Sequence, residues 1–81
     1  MKVRIRLFAG LRETVGHREV DLDLPEGATA EDAWTGLLAL APALAVRRSS
    51  LSASVNRRYA AFESALRDGD EVVFIPPVSG G

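Results

Sequence analysis

Residues 2–27 read KVRIRLFAGLRETVGHREVDLDLPEG, and the alternation within this stretch decides the fold. Over residues 2–8, Val3, Ile5 and Leu7 point one way while Lys2, Arg4, Arg6 and Phe8 point the other, the period-two pattern of a half-buried strand. A second run places Val20, Leu22 and Leu24 inward and Asp21 and Asp23 outward, and Pro25-Glu26-Gly27 stops it with a turn. Between the runs, Gly10 to Gly16 reads as a loop with room for one helical turn. Two strands joined by a short glycine-bounded loop make a hairpin.

Working outward, Thr29 has the form of a helix N-cap, with Glu31 and Asp32 in the first turn where carboxylates favour the helix dipole. Ala33, Trp34, Leu37, Leu38 and Ala41 recur at helical spacing, and Pro42 ends or kinks the helix. Residues 43–50 fit no single pattern, and Arg47-Arg48-Ser49-Ser50 reads as an exposed connection. A third strand is expected over Leu51–Val55, a turn at Asn56-Arg57-Arg58, and a short extended piece near Tyr59-Ala60. Phe62 and Leu66 bracket a tight segment before the turn Asp68-Gly69-Asp70. Glu71–Ile75 is the last strand, closed by Pro76-Pro77, which cannot donate to a ladder. A hairpin, one main helix and two or three short strands bury their apolar faces most economically when the helix packs across one small mixed sheet. The expected class is therefore α+β, a β-grasp arrangement with the first and last strands side by side.

Eighty-one residues make one domain with little apolar surface to spare for an internal active site. The expected division is a folded domain over residues 1–77 and a flexible tail over 78–81. Ten basic and eleven acidic residues leave a formal charge of −1, which argues against a nucleic-acid partner. With no cysteine, the chain has no disulfide, thiolate metal site or cysteine nucleophile. No membrane span or signal peptide is read, since MKVRIRLF is charged at every other residue, and the cytoplasm is the expected location.

Strand parity marks apolar residues that the core does not need. If Val72 and Phe74 face the helix, Val73 and Ile75 share the open sheet face with Phe8. Phe8 and Ile75 are then expected close together, with Tyr59 nearby, as a contact patch. Single exposed hydrophobes are also ordinary. Beyond Pro77, Val78-Ser79-Gly80-Gly81 could extend roughly 13–14 Å, at ~3.3–3.6 Å per residue. Two glycines would let such a strip enter a narrow channel with a carboxylate at its tip.

A carboxylate reacts as an electrophile only after activation, for instance as an acyl-adenylate formed from ATP. A sulfur nucleophile could then displace AMP and leave a thiocarboxylate on Gly81. Any sulfur must come from outside, because the chain has no thiol, and activation needs a partner enzyme, because the chain has no phosphate-cradling loop. Other candidates are weaker. His17 lacks companions for a metal or base role, and Asp68-Gly69-Asp70-Glu71 lacks the further ligands of a calcium loop. The serines sit in no nucleophile elbow, so no metal site and no internal catalytic set is expected.

The chain resembles the small subunit of molybdopterin synthase, a family of ubiquitin-like sulfur carriers. The resemblance is carried by Phe8-Ala9-Gly10-Leu11-Arg12-Glu13, by Leu24-Pro25-Glu26-Gly27, by Val55-Asn56 and, most specifically, by Asp68 through Gly81. It implies a ubiquitin-like β-grasp fold and a non-enzymatic, sulfur-donating subunit with no bound cofactor. It further implies that an adenylating enzyme of the ubiquitin-activating type uses ATP to activate Gly81, which becomes a thiocarboxylate. The tail Val78-Ser79-Gly80-Gly81 then enters the large synthase subunit and gives sulfur to cyclic pyranopterin monophosphate, within a heterotetramer. By matching position, Phe8, Arg12, Tyr59 and Ile75 are the implied partner contacts, although Tyr59 and Ile75 depart in identity from residues often found there. The alternatives are a sulfur carrier for thiamine or tRNA thiolation, with which the Pro76-Pro77-Val78-Ser79 approach agrees less well, and a protein modifier joined to lysines through Gly81.

Overall fold

The first alternating run forms β1 (Lys2–Arg6) and the second forms β2 (Glu19–Asp23), paired antiparallel with Lys2 opposite Asp23 and Arg6 opposite Glu19. The fold is that of a computed structural model, which describes residues 1–77. The connection between the two strands is not the expected loop. Ala9–Val15 is a helix, α1, ended by Gly16 in the left-handed region (φ 86°), whose N–H donates to the Arg12 carbonyl at 2.8 Å. No side chain caps its start, so the usual local signal is missing. It is held instead by Leu11, which is buried in the core. Strand β1 also stops two residues early, because Phe8 serves as the N-cap of α1 and Ala9 turns the chain at φ 48°.

The main helix, α2 (Ala30–Leu40), starts as its sequence dictates. The Thr29 hydroxyl accepts from the Asp32 N–H, and the Asp32 carboxylate accepts from the Thr29 N–H, a reciprocal capping box. The N–H groups of Ala30 and Glu31 donate to the carbonyls of Ser64 and Phe62, so a distant loop satisfies donors that every helix start leaves open. Ala33, Trp34 and Leu37 are buried on the sheet. A side-chain carbon at Gly36 would lie 2.8 Å from Leu22 Cδ1, so a glycine suits this close approach of α2 to β2. Pro42 does end α2, and Pro42–Ser50 continues as a 3-10 helix, the stretch that fitted no pattern. It is more than an exposed connection: Leu44 is fully buried, and Arg48 forms an ion pair with Glu31 of α2.

Strands β3 (Ser52–Val55), β4 (Arg58–Ala60) and β5 (Glu71–Ile75) complete a sheet in the order β2-β1-β5-β3-β4. The first and last strands are neighbours and run parallel, Arg4 opposite Glu71 and Arg6 opposite Val73; every other pair is antiparallel. This is the expected α+β β-grasp fold. Val3, Ile5, Leu7, Val72 and Phe74 form the floor of the core beneath Trp34 and Leu37. Trp34 meets Phe74 edge-on at 5.1 Å, and Phe62 stacks on Phe74 at 5.9 Å between centroids, both favourable ring geometries. Val20, Leu22 and Leu24 point inward but are only half-buried, because β2 is an edge strand that α2 covers incompletely.

The turn before β5 joins the ends of several elements. The Asp68 carboxylate accepts from the Lys2 N–H at 2.7 Å, and the Asp70 carboxylate accepts from the Arg67 N–H and from the Asn56 side-chain amide. The Asn56 side-chain oxygen Oδ1 accepts in turn from the Glu71 N–H at 3.0 Å. Asp68 and Asp70 are thus engaged with backbone and amide donors, and no cluster of three metal-ligating side chains occurs among the described residues. His17 is exposed beside Val15 and Leu40. No helix among the described residues is long and apolar enough to cross a membrane.

Candidate functional site

The sheet face turned away from α2 changes character along its strands. Near the start of β1 and β5 it is charged. Arg4 lies between Asp21 on β2 and Glu71 on β5, with its Nε 3.0 Å from Asp21 Oδ1 and 3.4 Å from Glu19 Oε2. The hydrogen bond from Arg4 lowers the Asp21 pKa below its ordinary carboxylate value, and the same bond raises that of Arg4. These charges neutralise one another in the plane of the sheet.

Toward the other end, where β5 runs into Pro76-Pro77, the face turns apolar. Val73 and Ile75 stand half-buried on β5, opposite Ser54 and Ser52 of β3. Phe8 is 48% exposed at the end of β1, and the Arg6 guanidinium sits 5.5 Å from its ring centroid. Tyr59 on β4 is 81% exposed and lies opposite Ser54. Phe8, Val73 and Ile75 thus share one face, as strand parity indicated, and the pairing of Tyr59 with Ser54 puts Tyr59 on it too. They are not equally close. Three strand spacings, about 14 Å, separate β1 from β4, and Ile75 lies between.

Phe8 and Arg12 are brought together in a concavity of about 210 Å³ that Arg6, Arg18 and Glu19 also line. Tyr59 borders a different hollow with Ser52 and Phe62. Alternation had already put Arg6 on the same side of β1 as Phe8, but Arg18 was not singled out in the sequence; it joins them because β2 pairs with β1, with Arg6 opposite Glu19. The four tail positions singled out in the sequence, Val78, Ser79, Gly80 and Gly81, lie outside the described residues.

A five-stranded β-grasp sheet with an apolar patch where the last strand leaves the domain defines a ubiquitin-like protein. The sequence signature described as the ThiS family matches residues 5–81. The chain belongs to that family. It is similar to the molybdopterin synthase sulfur carrier subunit of Chlamydomonas reinhardtii, at 37% identity over 100% of both chains. It is also similar to the subunit of that name from Escherichia coli (strain K12), at 38% identity over 98% of this chain and 99% of the relative. Among solved structures, the crystal structure of SAMP1 from Haloferax volcanii superposes with a TM-score of 0.90 at 35% identity, covering 100% of each chain.

Proposed function

We propose that this chain is the sulfur carrier subunit of a molybdopterin synthase. In this reading the Gly81 carboxylate attacks the α-phosphate of ATP on an activating enzyme, giving an acyl-adenylate and pyrophosphate. A sulfur nucleophile then attacks the acyl carbon and AMP leaves. Where that nucleophile is a persulfide, a second thiol of the donor attacks the S–S bond of the resulting acyl disulfide, so the donor leaves as a disulfide and Gly81 bears a thiocarboxylate. The large synthase subunit uses that sulfur to build molybdopterin from cyclic pyranopterin monophosphate. The chain is a donor here, not an enzyme on its own. ATP is a co-substrate of its partner, and no bound cofactor is required.

The single observation that carries the reading is the full-length similarity to carriers of that name, at 37–38% identity. The open face agrees with it. A partner engaging Phe8, Arg12, Ile75 and Tyr59 would stand at the end of β5 where Pro76-Pro77 sends the chain onward. Val78, Ser79 and Gly80 would then lead Gly81 into the partner's channel, the two glycines passing where a side chain would not. With no cysteine anywhere in the sequence, the chain offers no competing thiol to trap the sulfur.

The test is intact-mass analysis after incubation with ATP, the activating enzyme and a sulfur source. One oxygen should be replaced by sulfur at Gly81, and the product should support molybdopterin synthesis with the large subunit. Conversion only of thiazole or tRNA substrates would instead assign a different sulfur-carrier pathway. A second reading, a protein modifier joined to lysines, is favoured by the similarity to SAMP1. A ladder of conjugates on a denaturing gel, lost when Gly81 is deleted, would establish it.

A further inference from the structure

An activated acyl group at Gly81 is an electrophile that any nearby amine could intercept. Of the ten basic residues, nine are arginine, and Lys2 is the only lysine. A guanidinium stays protonated and does not act as an acyl acceptor, whereas a lysine amine forms a stable amide. The placement of the two types is unequal. Arg6 faces Val73, the Arg18 carbonyl accepts from Leu7 N–H, and Arg12 shares the concavity beside Phe8 with both. Arg47 approaches Gly10 on α1, with its guanidinium within 3.8 Å of where a side-chain carbon would stand there. All four lie toward the end of the domain that the tail leaves.

Lys2 lies at the opposite end. It precedes Arg4 by two residues, while Pro77 follows Glu71 by six, and Arg4 and Glu71 are partners in parallel strands. That is about eight strand residues, or about 26 Å at ~3.3 Å each. Ile75 and Pro76 each precede a proline, which biases both to extended backbone and carries the strand direction onward. Four residues beyond Pro77 reach at most about 14 Å and a lysine side chain adds about 6 Å, so the acyl carbon stops short of the amine on its own chain. The remaining amine, at Met1, is at the same far end and donates to the Leu24 carbonyl at 2.8 Å.

We propose that Lys2 is the single side chain of this protein that can accept the activated Gly81 acyl group as an amide, and that it does so only on a second copy of the chain. The inference rests on the reading of Gly81 as an acyl donor. In the step, the Lys2 nitrogen bonds to the acyl carbon, the bond to the leaving group breaks, and the leaving group departs with the amine's proton. Having arginine rather than lysine at this end of the domain thus keeps a carrier from closing on itself. The arginines preserve positive charge where the partner docks without offering an amine.

The test uses the full-length protein bearing a chemically installed thioester at Gly81, so that its outcome does not depend on enzymatic activation. The expected product is a dimer linked from Gly81 to Lys2, formed in proportion to the square of protein concentration, with no cyclised monomer. Lys2→Arg should lower the dimer roughly tenfold or more. Arg18→Lys, which keeps the charge at an exposed position, should add a cyclised monomer whose yield is independent of concentration. A cyclised wild-type monomer, linkage at Met1 or a hydroxyl, no dimer at all, or no cyclisation of Arg18→Lys would each overturn the proposal. If ATP and the activating enzyme leave Gly81 unchanged while the thioester behaves as described, the functional reading fails and the acceptor assignment stands.

Discussion

Replacing Arg48 by alanine should destabilise the domain by an amount that depends on pH, because this one side chain makes two physically different contacts. Its guanidinium holds Glu31 in a forked arrangement, with Nε 3.1 and 3.0 Å from the two carboxylate oxygens and Nη2 at 2.6 Å. It also lies 3.3 Å from the centroid of the Phe62 ring. Together these contacts tie the 3-10 helix to α2 and to the loop that satisfies the start of α2. With side chains 32% and 44% exposed, solvent screens the ion pair, which is worth about 0.5–1 kcal/mol. The ring contact adds about 0.5–1 kcal/mol. At pH 7 the loss should therefore be about 1.5 kcal/mol, a fall in Tm of roughly 6–12 °C for a domain this size.

The hydrogen bond from Arg48 lowers the Glu31 pKa below its ordinary value of 4.5. A carboxylate with a depressed folded pKa contributes fully above the unfolded value and loses that contribution as the pH falls through the folded one. The difference between wild type and Arg48→Ala, followed by urea unfolding, should thus shrink below pH 4.5 toward the ring contact alone, about 0.5–1 kcal/mol. Glu31→Gln at pH 7 should isolate the charge contribution without acid. A loss independent of pH would refute the division into two contacts, and no measurable loss at pH 7 would refute both.

If the proposed synthase role holds, Phe8→Ala should weaken association with a large synthase subunit by roughly tenfold, while Tm moves by no more than a few degrees. Calorimetric titration and thermal melts together check it, and unchanged affinity would remove Phe8 from the docking face. Arg57→Gly should raise stability by about 0.5–1 kcal/mol, because the arginine is exposed at φ 69° and the strain relieved, ~1–2 kcal/mol, exceeds the added chain entropy. A lower urea midpoint would show that the arginine side chain supports the turn. Thr29→Ala should cost about 1 kcal/mol through loss of the capping box, measured in the same way.

What was legible in the sequence was local. Alternation assigned Val3, Ile5, Leu7, Val72 and Phe74 to the core, because strand side chains must alternate across a sheet. Thr29 and Asp32 marked the start of α2, because four helix donors need acceptors within reach. The same parity put Phe8 and Ile75 on the open face, but the expectation of Tyr59 nearby could not foresee the three strand spacings between Phe8 and Tyr59. Helix α1 escaped because its anchor, Leu11, acts through tertiary packing and its first residue is uncapped. The stretch 43–50 escaped for a like reason: Leu44 finds the core, and Arg48 finds Glu31 and Phe62, all distant in the chain.

By itself, the order of residues determined which positions are apolar, where α2 begins, that there is no thiol and that lysine occurs once. Only the tertiary structure decided that β1 and β5 run side by side and parallel, which puts Lys2 and the exit of the tail at opposite ends of the domain. The physical reason is distance along the chain. Periodicity and capping act over a few residues, whereas pairing residue 4 with residue 71 depends on every intervening element having packed.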